Sequence, residues 1–273
     1  MRKSKEQSIV PKRSSKQHPK RSSEEHPNRS SEKHRSPFRY HGGKGKCSKR
    51  VLEIIRDQNP VRLVAPFLGG GSIEIAVADR GIPVLGFDSF DLLTNCWEHV
   101  LNDSAALAEA ARNFYPITQK QFRYMQRHID DETDPFQLAV QFFVINRASY
   151  DGLTLSGGFS GDRFTLSSIA KLRSFGCPLL NVQCQDFRET LHQFPNDLFY
   201  LDPPYWNCPH LYGRRGSHSK FPHEELAVLL LARGRWILST MIRKRFDSCM
   251  QGFDTSASLG GIRKKTEVGA RNS

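Results

Sequence analysis

The chain has 273 residues, of which 38% are hydrophobic, and a formal charge of +12. This length is enough for one large or two small domains with an adequate core. No apolar run approaches the length of a membrane span, and the N-terminus lacks the apolar centre of a secretory signal. The six cysteines form neither a Cys-x-x-Cys pair nor a zinc-type spacing with histidine, so we predict a soluble intracellular protein with reduced thiols and exclude a membrane protein or a disulfide scaffold.

The basic charge is concentrated at the N-terminus. Residues 1–36 contain eleven Lys or Arg against four Glu, a net +7, which leaves +5 for the rest of the chain. An eight-residue repeat of the type Lys-Arg-Ser-Ser-x-x-His-Pro runs through residues 12–35 and has almost no apolar side chain. Such a segment buries too little surface to offset its ordering entropy, so we predict a disordered tail. An electrostatic tether to nucleic acid, a solvated low-complexity arm and a nuclear address are the alternatives for its role.

The first ordered stretch is predicted at residues 37–44, Pro-Phe-Arg-Tyr-His-Gly-Gly-Lys. The two glycines let the backbone approach a ligand closely, and Tyr40 and Lys44 would then contact it. Gly-Gly-Lys also occurs in ordinary turns. A helix is predicted to follow over residues 49–57.

A nucleoside-binding unit is predicted next. Residues 61–65 are typical of a strand, residues 66–72 (Pro-Phe-Leu-Gly-Gly-Gly-Ser) of a tight loop, and residues 82–87 of a second strand that ends at Asp88. We expect Ser72 to cap the intervening helix, with Glu74 in its first turn. The loop matches neither the dinucleotide Gly-x-Gly-x-x-Gly pattern nor the phosphate-loop pattern, which favours a nucleoside without a pyrophosphate over NAD or ATP. The alternative is a purely structural glycine turn.

The strand–helix alternation lapses between residues 103 and 180. A core helix is predicted over residues 90–101 and another over residues 136–146. Residues 103–180 are therefore interpreted as an insertion between the strands. Its basic residues either follow a phosphate backbone or form a solvated surface; they are Lys120, Arg123, Arg127, Arg147, Arg163, Lys171 and Arg173.

Two further strand ends carry candidate site residues. The strand predicted from residue 181 leads to Asp186 and Phe187, and Phe187 would either cover an adenine ring or belong to the core. The apolar run 198–201 precedes Asp202-Pro-Pro-Tyr205, where the prolines must end the strand. Asp202 and the Pro203 carbonyl can accept both N–H bonds of an exocyclic amine while Tyr205 stacks on the base. The alternative is a proline turn with a solvated aspartate.

After this stretch we predict a loop at residues 206–219 that closes over a substrate, a helix at 222–233 and a strand at 236–239. In the helix, the side chains expected to face inward are Leu226, Ala227, Leu229 and Leu230.

In chain order these motifs resemble the Dam-like DNA adenine methyltransferases, which use S-adenosylmethionine. The resemblance spans residues 38–253 and is carried by Tyr40-His-Gly-Gly-Lys44, the glycine loop, Asp88, Asn146-Arg147 with Tyr150-Asp-Gly152, Asp186-Phe187 and Asp202-Pro-Pro-Tyr205. It implies an α/β fold with a Rossmann-like methyltransferase sheet formed by residues 37–102 and 181–253. A mainly helical target-recognition region at 103–180 would be inserted in this domain, and a polar tail at 254–273 would follow it.

The resemblance also implies a role for each motif residue. Tyr40 and Lys44 would contact the cofactor, Asp88 would bind its ribose, and Asp186 and Phe187 would hold its adenine. The residues that would wrap its methionine part are Pro66, Phe67, Gly69, Gly70 and Gly71. The residues that would hold the target base are Asp202, Pro203, Pro204 and Tyr205, with Asp202 also near the cofactor amino group.

The activity implied is transfer of a methyl group to N6 of a flipped-out adenine at a specific site in double-stranded DNA, with neither a metal nor a covalent intermediate. A monomer in the cytoplasm, associated with the nucleoid and accompanied by a restriction endonuclease, would fit this class; a eukaryotic source would place it in the nucleus. The alternatives are an RNA adenine-N6 methyltransferase and a truncated, non-catalytic nucleic-acid-binding relative.

Two features depart from the family pattern. Tyr40 stands where the family usually has Trp, which is a conservative change between aromatics. Beyond Ser239 the sequence has no strand pattern in place of the family's closing hairpin. We therefore expect one edge of the sheet to be uncovered, at a cost in stability.

Overall fold

A six-stranded sheet organises the fold. The computed structural model describes residues 35–40, 48–204, 221–242 and 246–252. The strands are β1 (Leu63–Ala65), β2 (Val84–Asp88), β3 (Leu180–Cys184), β4 (Leu198–Leu201), β5 (Trp236–Ile242) and β6 (Phe246–Gly252). They are arranged in the order β3-β2-β1-β4-β5-β6, and the first five are parallel.

Eight helices are found among the described residues. They are α1 (Ser48–Asp57), α2 (Ser72–Ala78), α3 (Asp91–Arg112), α4 (Gln119–His128), α5 (Pro135–Ala148), α6 (Leu166–Arg173), α7 (Phe187–Gln193) and α8 (His223–Leu231). Short 3₁₀ turns lie at Ile129–Asp131, Tyr150–Gly152 and Gly161–Arg163. The predicted α/β class with a Rossmann-like sheet is confirmed.

Helices cover both faces of the sheet. On one face the buried side chains of α1, α2, α3, α5 and α6 form a single hydrophobic cluster with β1, β2 and β4. On the other face α7 and α8 pack through Leu191, Leu226 and Leu230 against Val64 and Phe199. The central strands β1 and β4 are buried on both faces and their sequences are continuous apolar runs, which is why these strands were predictable. The helices within residues 103–180 share the first cluster, so this segment packs directly on the sheet domain.

The expectation of an uncovered sheet edge beside β5 was wrong. β5 continues to Ile242, and β6 pairs antiparallel along it from Trp236↔Gly252 to Ile242↔Phe246. The sequence Phe-Asp-Ser-Cys-Met-Gln-Gly lacks the strict alternation that identifies a half-buried strand. An edge strand forms through backbone hydrogen bonds to its neighbour, which the side-chain pattern does not report.

Two local predictions are corrected as well. Gly71, with φ 65°, occupies the N-cap of α2 and has no side chain with which to cap it, and Ser72 is the first helical residue. The cap position requires a left-handed backbone, which favours glycine over serine. In α8, Leu226 and Leu230 are buried and Leu229 is half-buried, but Ala227 is exposed, because this short helix contacts the sheet along a narrow stripe.

Several predictions fall outside the described residues: the tails at 1–34 and 254–273, Lys44, Tyr205 and the loop 206–219. Among the described helices, none combines the length and the apolar character that crossing a bilayer requires.

Candidate active site

The candidate site residues meet at the carboxyl edge of the parallel strands. The strand order reverses between β1 and β4, the position at which open α/β sheets bind ligands. The glycine loop follows β1, Asp88 ends β2, and Asp202 follows β4. The structure therefore brings three motifs separated in sequence to adjacent strand ends. Asp186 follows β3 on the same edge.

The glycine loop is closely packed against two aromatic rings. Gly69 and Gly71 have left-handed φ values of 49° and 65°. A Cβ atom added to Gly69 would lie 2.8 Å from the Tyr40 ring, one on Gly70 would lie 2.7 Å from the Tyr40 Cβ, and one on Gly71 would lie 2.9 Å from Trp97. Glycine is therefore required for both the conformation and the contacts, and Tyr40 lies directly against the loop.

Asp88 and Trp97 hold the loop from the side of β2 and α3. The Asp88 carboxylate accepts hydrogen bonds from the backbone amides of Gly69 (2.9 Å) and Phe90 (3.0 Å). The Trp97 indole donates to the Gly69 carbonyl (3.0 Å). Burial raises the pKa of Asp88, and the amide hydrogen bonds oppose this rise. Each carboxylate oxygen has a second lone pair, so Asp88 is able to accept from ligand hydroxyls while it holds the loop.

Asp202 lies at the end of a fully buried strand. All four residues of β4 are buried, as are Pro203 and Pro204, and the Oδ1 atom of Asp202 is itself buried. The prolines end the strand because neither has an N–H for the ladder. The carboxylate is thus fixed beside the loop that follows β1, at the switch point of the sheet, which is the position between β1 and β4 where the strand order reverses.

Glu74, which was predicted as an acid in the first turn of α2, lies there and is buried. Its residue surface is only 3% exposed. Burial raises its pKa to about 8, and the negative charges of Asp202 and Asp88 contribute further to the rise. The signal for its burial was available, since Ile73, Ile75 and Val77 leave little of α2 polar.

Replacing Glu74 by Gln is expected to change the pH dependence of stability. Between the ordinary pKa of 4.5 and about 8, the folded state keeps the Glu74 proton and the unfolded state loses it. The free energy of unfolding of the wild type should therefore fall relative to Glu74→Gln as pH rises through this window, by up to about 1.4 kcal/mol per pH unit. Denaturant unfolding at pH 5 and pH 8 measures this difference. Glu53→Gln removes an exposed acid of α1 and keeps Glu74, so its pH slope should equal that of the wild type, and equal slopes in all three proteins would refute the raised pKa of Glu74.

Phe187 belongs to an aromatic cluster beside the site. Its ring centroid lies 5.5 Å from that of Phe67 and 5.4 Å from that of Phe221, and Phe187 is 4% exposed. The Arg188 guanidinium lies 4.6 Å from the Phe187 centroid. Asp186 caps α7 by accepting from the Arg188 amide (2.9 Å) and forms an ion pair with its guanidinium (3.1 Å). Phe187 is thus part of the hydrophobic cluster that α7 and α8 form on the sheet, and the half-buried rings of Phe67 and Phe221 pack against it.

Asn146 fixes the segment that carries Tyr40. Its fully buried amide accepts from the Arg39 backbone N–H (2.9 Å) and donates to the Arg39 carbonyl (2.8 Å) and the Thr154 hydroxyl (3.1 Å). Gly152 (φ 71°) lies against the same carbonyl, where an added Cβ would be 2.3 Å from the Arg39 oxygen. Asn146 and Gly152 belong to the motifs that carry the family resemblance, which implied no structural role for them. Their role is to hold residues 38–40 against α5.

Two guanidinium groups lie together beside this segment. The Arg147 pKa is lowered to about 10 by burial and by the charge of Arg39. Arg39 donates to the Ser149 carbonyl (2.7 Å) and Arg147 to the Arg163 carbonyl (3.3 Å), while the buried Nε of Arg147 has no hydrogen-bond partner among the residues that the structure describes. Within the described ranges, no carboxylate forms an ion pair with Arg39 or Arg147. The pair is suited to an anionic ligand.

Comparison with known proteins identifies the family. A search of curated proteins found no match. The family model described as D12 class N6 adenine-specific DNA methyltransferase matches residues 40–227, more than half of the chain, and this segment includes Tyr40, the glycine loop, Asp88 and Asp202. The resemblance stated from the motifs is therefore confirmed. The chain belongs to the D12 class N6 adenine-specific DNA methyltransferase family.

Proposed function

We propose that this protein transfers the methyl group of S-adenosylmethionine to N6 of a flipped-out adenine at a specific site in double-stranded DNA. Family membership supports adenine methylation of DNA in general. The proposal of a specific substrate and cofactor is supported by one observation: the glycine loop, Asp88 and Asp202 converge at the switch point of the sheet. A monomer is sufficient for this arrangement, and a restriction endonuclease is a proposed partner.

The residues at the switch point fit the cofactor. Asp88 offers carboxylate oxygens suited to ribose hydroxyls, and Phe67 and Phe187 offer an apolar wall for an adenine ring. Tyr40 and the loop from Pro66 to Gly71 would line the methionine part, with Lys44 following from the sequence motif. When bound, S-adenosylmethionine supplies an electrophilic methyl group on a sulfonium. Carboxylates such as Asp88 and Asp202 suit a ligand with that charge.

Asp202 and Pro203 would prepare the target amine. The lone pair of an adenine amine is delocalised into the ring, which makes the nitrogen a poor nucleophile. An amine that donates one N–H to the Asp202 carboxylate and the other to the Pro203 carbonyl is held in a pyramidal geometry with its lone pair available. Asp202 acts in this scheme as a hydrogen-bond acceptor and needs no strong basicity. Catalysis by positioning and electrostatics follows from a carboxylate fixed at the end of a buried strand.

The target base must leave the duplex to reach Asp202. The amine of a paired adenine is inaccessible to a side chain at a strand end, so the enzyme would flip the nucleotide and stack its base on Tyr205. Arg39 and Arg147 suit the accompanying phosphate backbone, because they are adjacent, partly buried and without an acidic partner in the described structure. Arg39 is also the neighbour in sequence of Tyr40, which lies on the glycine loop.

Replacing Arg147 by Gln is expected to weaken DNA binding without changing cofactor binding. Loss of one phosphate contact should raise the Kd for duplex DNA by about tenfold and reduce the slope of log K against log[salt] by about 1. Fluorescence anisotropy over a salt series measures both quantities. Arg173→Gln is the matched control, because Arg173 is exposed and paired with Glu109 (3.0 Å). Equal affinities and equal slopes for the two variants would exclude a phosphate contact at Arg147.

The proposed activity is tested by supplying methyl-labelled S-adenosylmethionine with unmethylated duplex DNA of random sequence, followed by mass spectrometry of the nucleosides. We expect N6-methyladenine in the DNA, and sequencing of the methylated product should show one short recognition site. The same assay with RNA of matched sequence tests the alternative that the substrate is RNA. Folded protein that binds the cofactor and modifies neither polymer would overturn the proposal.

A further inference from the structure

The solvent-facing side of α4 carries a row of basic and aromatic side chains. The buried residues of this helix are Phe122, Met125 and Gln126. The positions at i, i+3, i+4, i+7 and i+8 from residue 120 lie on the opposite side of the helix. They form the basic stripe, which consists of Lys120, Arg123, Tyr124, Arg127 and His128. Arg123 is half-buried and the other four residues are exposed.

The positive charge of the basic stripe is not balanced by acids. α4 contains no Asp or Glu, and none of the ion pairs in the described part of the chain involves Lys120, Arg123 or Arg127. The acids that follow lie beyond the last turn of the helix, where Asp131 pairs with His128 (2.8 Å). Like charges three or four residues apart destabilise a helix. The stripe therefore opposes the stability of α4, and an anion bound along it would remove this repulsion.

Tyr124 and His128 stack on each other within the stripe. Their ring centroids lie 4.5 Å apart with an interplanar angle of 28°, and Tyr124 is 65% exposed. Tyrosine hydroxyl groups, like Lys and Arg side chains, donate to phosphate oxygens in protein–DNA contacts. The stripe thus offers a neutral donor in addition to its three cations.

The length of the stripe matches a run of phosphates. At about 1.5 Å per residue, the helix axis advances about 10 Å from Lys120 to Arg127. With α4 aligned along a duplex, about three phosphates of one strand fall within that length, because each strand has one phosphate about every 3.4 Å of its axis. Three cations on one side of the helix are therefore suited to successive phosphates of a DNA strand.

Hydrogen bonds connect α4 to the segment that carries Arg39. The Gln126 side chain donates to the Thr154 carbonyl (2.7 Å) and accepts from the Arg123 guanidinium (3.0 Å). The Thr154 hydroxyl accepts from Asn146, whose amide binds the Arg39 backbone. The stripe is thus joined through buried side chains to a guanidinium that the proposed function places on the DNA backbone.

We propose that the basic stripe of α4 binds the phosphate backbone of the duplex that flanks the target adenine, independently of base sequence. The inference rests on the proposed function, because the partner is the duplex that is methylated. The stripe extends the DNA contact beyond Arg39 and Arg147. Phosphate contacts of this kind supply affinity and its salt dependence and leave base readout to other residues.

Fluorescence anisotropy of the whole protein with duplex DNA, over a salt series, tests this inference. The stripe variant Lys120→Gln/Arg127→Gln removes two charges of α4. The control variant Arg50→Gln/Arg173→Gln also removes two exposed charges, each of which is paired with a glutamate (3.5 and 3.0 Å), so the two variants have the same net charge. We expect the stripe variant to raise the Kd by about 10- to 100-fold and to reduce the slope of log K against log[salt] by about 2. The control variant should stay close to the wild type.

Two further measurements separate a backbone contact from an effect on folding or on the chemical step. Removing two of the three cations relieves repulsion along α4, so thermal unfolding should show the stripe variant to be at least as stable as the wild type. At saturating DNA its single-turnover methylation rate and its cofactor Kd should equal those of the wild type, because the stripe contacts neither the target base nor the cofactor.

The outcomes distinguish this inference from the proposed function. Equal Kd values and equal salt slopes for the two double variants would overturn the role of the stripe and leave the methyltransferase proposal standing. A stripe variant that loses affinity for RNA but not for duplex DNA would overturn the choice of partner. Folded wild type that binds duplex DNA but methylates neither DNA nor RNA would overturn the proposed function, and the comparison of Kd values would still decide whether the stripe binds the backbone.

Discussion

Asp202→Asn should reduce the single-turnover rate of DNA methylation by about 10²- to 10⁴-fold, the range found when a positioned catalytic hydrogen-bonding group is removed. Asparagine keeps the shape of the side chain but replaces one acceptor oxygen with an N–H donor and removes the charge. It therefore cannot hold the amine in the same geometry. The buried strand β4 and the two prolines stay in place, so the protein should remain folded. Rapid-quench assays with saturating DNA and cofactor measure the rate.

The control for this substitution lies at the other end of the same strand. Asp197 immediately precedes β4 and pairs with Arg62 through two hydrogen bonds of 2.8 and 2.9 Å. Asp197→Asn should retain a rate near that of the wild type, because this end of the sheet is remote from the switch point. A rate for Asp202→Asn within a few-fold of the wild type would show that its carboxylate is not the acceptor that activates the amine. Cofactor Kd values for both variants separate an effect on binding from an effect on the chemical step.

The strand ends that form the candidate site were predictable because their determinants are local. Parallel strands buried on both faces are continuous apolar runs, as in β4, and a carboxylate followed by Pro203 and Pro204 marks where such a run must end. The glycine loop was predictable for a similar reason, since Gly71 supplies the left-handed backbone that opens α2. Because these strands are parallel, their carboxyl ends lie on one edge of the sheet.

The features that could not be predicted from the sequence depend on contacts between distant parts of the chain. The Asn146 amide meets the Arg39 backbone 107 positions away, and no local pattern of burial or charge reports such a pairing. Glu74 is in the first turn of α2, where an exposed acid is common, and its burial follows from the packing of this helix against α1, β2 and β3. β6 forms on backbone hydrogen bonds to β5. The strand that was expected to be missing is therefore present.

Asn146→Ala should destabilise the fold by about 2–4 kcal/mol, because it leaves the half-buried N–H and C=O of Arg39 without their partner and opens space beneath them. Asn146 is completely buried and also donates to the Thr154 hydroxyl (3.1 Å), so one substitution breaks contacts with two segments. Denaturant unfolding measures the loss. Asn95→Ala removes a single hydrogen bond, from its side chain to the Pro135 carbonyl (2.8 Å), and should cost about 1 kcal/mol or less.

The same substitution distinguishes a structural effect from an effect on the site. Tyr40 follows Arg39 directly and packs on Gly69 and Gly70, so release of Arg39 should move the Tyr40 ring away from the glycine loop. At a temperature where Asn146→Ala is still folded, we expect cofactor affinity to fall by about tenfold, whereas Asn95→Ala should bind as the wild type does. Asn146→Asp keeps an acceptor for the Arg39 N–H but turns a carboxylate oxygen toward the Arg39 carbonyl, so it should not restore the cofactor affinity lost in Asn146→Ala. Unchanged cofactor affinity in folded Asn146→Ala would mean that the pocket does not depend on the position of Tyr40, and the loss of stability would then be the whole effect of the substitution.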